Sequence, residues 1–179
     1  MATRNLLRKH LAVAWKATIA GPYADRLINS ERGLQVHFCH ALMNAFGGVQ
    51  RRLFIEPTIV FGGVRRHPDV VICHTRRIIG VVELKYMPRG TPNPSKDVDT
   101  LAKFACSGDD IALANDRFRG IGSVRSYAIA SDAVLCWAGV YADAALILPT
   151  AEVEQCGSRF MRLDAITSRY AEADCTTIL

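Results

Sequence analysis

Apolar residues at helical spacing open the chain. Leu7, Leu11, Ala14, Trp15, Thr18 and Ile19 share one face, and Gly21-Pro22 ends the pattern, which predicts an N-terminal amphipathic helix. A second helix is predicted from Asn29-Ser30, which suit an N-cap. Leu34, Phe38, Ala41, Leu42 and Ala45 then form its stripe, and Gly47-Gly48 stop it. The period then shortens. Leu53–Phe61, Pro68–Cys73 and Ile78–Tyr86 read as strands, separated by a turn at Gly62-Gly63 and a hairpin at His74–Arg77. Strands so close in sequence predict an antiparallel meander. The proline-rich segment 88–94 is a loop, and Ser95 is placed to cap a third helix with Leu101, Phe104 and Ala105 on its buried side. Gly108 and Gly120-Ile121-Gly122 leave the next stretch unassigned. Ala133–Tyr141 is almost wholly apolar and predicts a central strand. Residues 142–148 fit helix or strand equally, and Phe160–Leu163 predicts a short last strand.

This order predicts an α/β fold with a mixed sheet. With 179 residues one domain is expected over 1–179, comprising an N-terminal helical extension (1–28), a core (29–141) and a C-terminal elaboration (142–179). Hydrophobic residues make up 50% and charged residues 22%, which excludes a disordered chain. No apolar run is long enough to span a bilayer. The segment Leu11–Trp15 is too short for a secretory signal core, so the six scattered cysteines, none in a CxxC pair, are expected to be free thiols of a cytoplasmic protein. The first twenty residues are basic and free of acid, a composition that an organelle transit peptide shares. A net charge of +5 permits a polyanionic partner without requiring one.

Three charges interrupt the apolar strands, where charge is costly unless paired or used. They are Asp69 in Pro68-Asp69-Val70-Val71-Ile72, and Glu83 and Lys85 in Val81-Val82-Glu83-Leu84-Lys85-Tyr86. Period two puts Glu83 and Lys85 on one face. With Thr75-Arg76-Arg77 as the hairpin loop, position 74 pairs with 78 and Asp69 falls opposite Glu83. Two carboxylates that close repel unless a cation lies between them, and an all-oxygen set suits Mg2+ or Mn2+. The alternation of Glu83 and Lys85 also fits the solvated face of an edge strand.

Pro68-Asp69 followed by Glu83-Leu84-Lys85 resembles the PD-(D/E)XK, or restriction-endonuclease-like, nuclease superfamily. The resemblance covers roughly residues 29–141 and includes the order helix, three-stranded meander, helix, strand. It implies metal-assisted hydrolysis of phosphodiester bonds, in DNA more often than RNA. It also implies Asp69, Glu83 and the backbone carbonyl of Leu84 as metal ligands, Lys85 as the catalytic lysine, and Glu31 on the preceding helix as a supporting acid. Gln35, one turn on from that acid, and Glu56, a fourth acid near the metal, are further candidates, although Gln35 also fits a solvent-facing position and Glu56 a strand-edge or bulge position. Arg65, Arg66, Lys96 and Lys103 are candidate contacts to nucleic-acid phosphates, among arginine pairs that also include Arg51-Arg52 and Arg76-Arg77. A homodimer and a targeting protein are the other partners expected, with no membrane. The alternative reading keeps the fold but not the chemistry, as a silent module that binds nucleic acid or protein.

Overall fold

The computed structural model describes residues 2–61, 63–107, 111–116, 122–143, 145–167 and 174–178. Helix α1 (Ala2–Thr18) runs past its predicted end into a wide helical turn over Ile19–Tyr23 that contains Pro22. Helix α2 (Glu31–Ala45) starts where predicted, with the Ser30 hydroxyl accepting from the Gly33 N–H at 3.1 Å. It leaves its last turn through Gly47 and Gly48, both at positive φ. Helix α3 (Ser95–Cys106) is not capped by Ser95 as expected. The Asn93 carboxamide oxygen accepts from the Ser95 N–H instead.

The predicted first strand is two. Strand β1 (Arg52–Ile55) pairs antiparallel with β4 (Val70–His74), whereas β2 (Ile59–Phe61) pairs with β3 (Val64–Arg66) and β6 (Ile111–Asp116). The break falls at Glu56-Pro57, where Glu56 takes a positive φ and proline supplies no N–H for a ladder. The turn between β2 and β3 includes Gly63, while residue 62 lies outside the described residues, as do 108–110 and 117–121.

Strand β5 (Arg77–Met87) completes the meander β1-β4-β5, with β2-β3 inserted between its first two members. It then runs parallel to β7 (Gly122–Tyr141), and β7 to β8 (Phe160–Ile166), which carries β9 (Asp174–Ile178) along its other edge. Among the described residues these nine strands form one mixed sheet. Residues 142, 143 and 145–148 are neither helix nor strand, and a short helix α4 (Thr150–Cys156) precedes β8.

Apolar side chains fill both faces of the sheet. On one face Leu7, Leu11 and Trp15 of α1 and Leu34, Phe38 and Leu42 of α2 pack on Val70, Ile72, Val82 and Leu84. On the other, Val98, Leu101 and Phe104 of α3 pack on Val71, Val81, Leu135 and Trp137. The N-terminal helix is therefore part of the main core. Gly80 lets it approach, since a Cβ there would lie 2.9 Å from Leu7 Cδ2. The five cysteines whose side chains are described are free, four of them buried.

Candidate active site

The hairpin between β4 and β5 sets the geometry. Its loop is one residue tighter than expected: His74 pairs with Arg77, and Thr75 takes a positive φ. An irregularity near Ile79 then adds a residue to β5, so Ile72 pairs with Gly80 and Val70 with Val82. The two departures cancel. Continued by one residue, the register brings Asp69 opposite Glu83.

Beyond Val82, β5 has outrun β4, and its N–H groups on that edge need other acceptors. Carboxylates provide them. Asp69 Oδ2 accepts from the Leu84 N–H at 2.6 Å, and Glu31 Oε2 from the Tyr86 N–H at 3.2 Å. The exposed main chain thus draws an acid from the start of β4 and another from the first turn of α2 toward the place where Glu83 and Lys85 project.

Lys85 Nζ lies 3.5 Å from Glu31 Oε2 and 3.3 Å from Asp97 Oδ2. Asp97, in the first turn of α3, is the member that the sequence reading missed. A helix-opening acid among Lys96, Asp97 and Asp99 reads as solvated surface, and only the packing of α3 against Val81 and Trp137 carries it inward.

Four carboxyls and one ammonium converge here, and the proton affinities follow. Burial first, and then the charges of Glu31 and Asp97, push Asp69 up to about 6 against the opposing pull of the Leu84 N–H. Glu83 is almost wholly buried and is raised well above the ordinary carboxylate range, by burial first and then by Asp69 and Asp97. Burial also raises Asp97, against Lys85 and the Trp137 indole N–H, which lower it. Burial alone would pull Lys85 down, but Asp97 and Glu31 outweigh it and hold the ammonium above the ordinary lysine range.

A structural acid in the same chain looks different. Asp164 is equally buried, but it accepts from the Tyr141 hydroxyl at 2.7 Å and from Arg162 Nε at 2.9 Å.

The remaining candidates divide. Gln35 is buried and its carboxamide donates to the Asp69 carbonyl at 3.1 Å, so it braces the strand that carries the acid. Glu56 touches Asp69 only through the backbone, its N–H donating to the Asp69 carbonyl at 3.0 Å. Its side chain turns away to pair with both terminal oxygens on Arg32. Arg66 and Lys103 converge on Asp99, at 3.2 and 3.4 Å. Arg65 and Lys96 are exposed.

As the side chains stand, the described residues include no group of three or more His, Cys, Asp or Glu arranged to hold a metal ion. No described helix is long and apolar enough to cross a membrane. Comparison of the chain with models of known families, with curated proteins and with solved structures gives no match.

Proposed function

We propose that the chain is a metal-dependent nuclease with a restriction-endonuclease-like core, acting on nucleic acid, DNA rather than RNA. The observation that carries this reading is the meeting of Asp69 and Glu83 at the β4–β5 fork beside Lys85. The element order supports it, with α2, the meander β1-β4-β5, α3 and the parallel strand β7 following in sequence.

The donor set suits a hard divalent ion. Burial first, and the neighbouring carboxyls after it, raise the proton affinity of Asp69 and Glu83, and a cation would serve in place of those protons. Asp97 Oδ2, also buried, lies within ion-pair range of Lys85 but hydrogen-bonds to nothing. Asp69, Glu83 and the Leu84 carbonyl would hold Mg2+ or Mn2+, which when bound supplies Lewis acidity toward water and phosphate. Glu31 and Gln35 act through others: Glu31 holds Lys85, and Gln35 fixes the Asp69 backbone. The Lys85 ammonium stabilises negative charge that develops on a phosphate. Arg65, Arg66, Lys96 and Lys103 lie on β3 and α3 and contact the phosphate backbone. One site per chain suits a homodimer for cutting both strands, with target choice left to a partner.

The silent-module alternative draws on the pairing of Lys85 with Glu31 and Asp97, which already balances its charge. Plasmid nicking in Mg2+ or Mn2+ decides between the two. Wild-type chain nicks, whereas Asp69→Asn does not and Lys85→Ala nicks only at a residual rate. Nicking that persists in both variants rejects this site, and a wild-type chain that neither nicks nor binds Mn2+ in calorimetry leaves the silent module.

A further inference from the structure

Lysine is a poor fixed point, because its charge sits on a flexible four-carbon stem. Lys85 is held from two sides, and the two holds differ. Glu31 is 44% exposed at its side chain, whereas Asp97 is 12% exposed, so Asp97 is the stiffer anchor. Asp97 in turn faces the Trp137 indole N–H. Both Asp97 Oδ2 and Trp137 Nε1 are buried and neither has a hydrogen-bond partner, a condition rare for buried polar atoms, so each is the group left to satisfy the other.

The position of the indole is set by Gly139. A Cβ there would lie 2.5 Å from Trp137 Cη2 and 3.1 Å from Tyr141 Cδ1, so the ring occupies the space above this residue. Gly139 is the partner of Lys85 in the parallel β5–β7 register, and Trp137 is the partner of Glu83. The missing side chain on β7 thus admits the indole alongside the lysine.

Resting on the nuclease reading above, we propose that Asp97 and Trp137 form a relay of position: the buried indole N–H orients the Asp97 carboxylate, and Asp97 aims the Lys85 ammonium at the scissile phosphate. Asp97 is a positioning residue in this account and touches neither metal nor substrate.

The test uses full-length chain with Asp97→Asn, Asp97→Glu, Trp137→Phe, Lys85→Ala and the Asp97→Asn/Lys85→Ala double variant. Asp97→Asn lowers kcat for plasmid nicking by about tenfold or more while KM and the Mn2+ affinity from calorimetry stay within about twofold. Asp97→Glu recovers part of the loss, and Trp137→Phe shows a smaller loss of the same kind. The double variant is no slower than Lys85→Ala alone, as required of residues that act through one group. A double variant slowed by the product of the two single effects overturns the proposal, and so does a fall in Mn2+ affinity in Asp97→Asn, which would make Asp97 a ligand.

A readout independent of activity separates this claim from the nuclease reading. The chain has two tryptophans, and the Trp15 indole donates to the Asp164 carbonyl at 3.2 Å, remote from α3. In 15N-labelled protein, Asp97→Asn moves the Trp137 indole N–H resonance and leaves that of Trp15 in place. An unmoved Trp137 signal refutes the relay even if the enzyme cuts. A wild-type chain that cuts nothing refutes the nuclease reading, and the aiming role with it, even if the signal moves.

Discussion

Metal-free protein should lose stability as pH rises from acid toward neutral, opposite to the usual behaviour of carboxylates that fold into salt bridges. Asp69 shifts from an ordinary value of 3.8 to about 6 on folding, chiefly through burial. Its folded form therefore binds more protons than its unfolded form between those values, and stability falls with pH there. The stabilising effect of the Asp69 proton is complete below about pH 4 and gone above about pH 7. At about 1.4 kcal/mol per tenfold change in proton affinity, the full effect is about 3 kcal/mol, of which about 2 kcal/mol falls between pH 4.5 and pH 7.5. Glu83 and Asp97 are raised as well and act in the same direction. His10, lowered first by burial and then by Arg51, acts in the opposite direction, so the comparison must be against a variant. Urea unfolding in EDTA, followed by circular dichroism across this range, should show wild type losing about 2 kcal/mol more than Asp69→Asn. At this chain length the melting temperature should differ by about 4–8 °C. Parallel pH profiles for the two proteins would refute the account of an Asp69 carboxyl whose proton affinity is raised chiefly by burial.

Two further outcomes concern packing. Leu11→Ala should destabilise the fold by about 2–5 kcal/mol in urea unfolding, because Leu11 is fully buried in the main core; an effect typical of a surface site would mean that α1 is a removable extension. Gly139→Ala should cost about 1–3 kcal/mol and alter the near-ultraviolet circular dichroism of tryptophan, since the new methyl meets Trp137 and Tyr141; an unchanged spectrum would show that the indole is not wedged there.

How much of this was legible in the sequence depended on the range of the interaction. Period-two alternation put Glu83 and Lys85 on one face. The Asp69–Glu83 register was read correctly although the hairpin was not, because a tighter loop and an irregularity at Ile79 offset one another. Ser30 announced α2, and with it the position of Glu31. The split at Glu56-Pro57 was overlooked, because the apolar run on either side resembles one strand and only pairing with different neighbours reveals two. Strand β6 and the first half of β7 lie in a glycine-bearing stretch with weak periodicity, and their assignment depends on pairing with each other. Asp97 could not be read at all. Its local signature is that of any helix-opening acid, and its place beside Lys85 comes from the docking of α3 on a sheet that distant segments build.

Strand β7 has a consequence for how this molecule comes apart. Its first residues, 122–127, belong to the ladder with β6, while residues 128–141 run beside β5 and the last of them also beside β8. A single backbone thus serves as the common rail of both wings. Neither wing has a complete set of neighbours until that rail is laid, so cutting the chain anywhere within it should melt both at once rather than release an intact half.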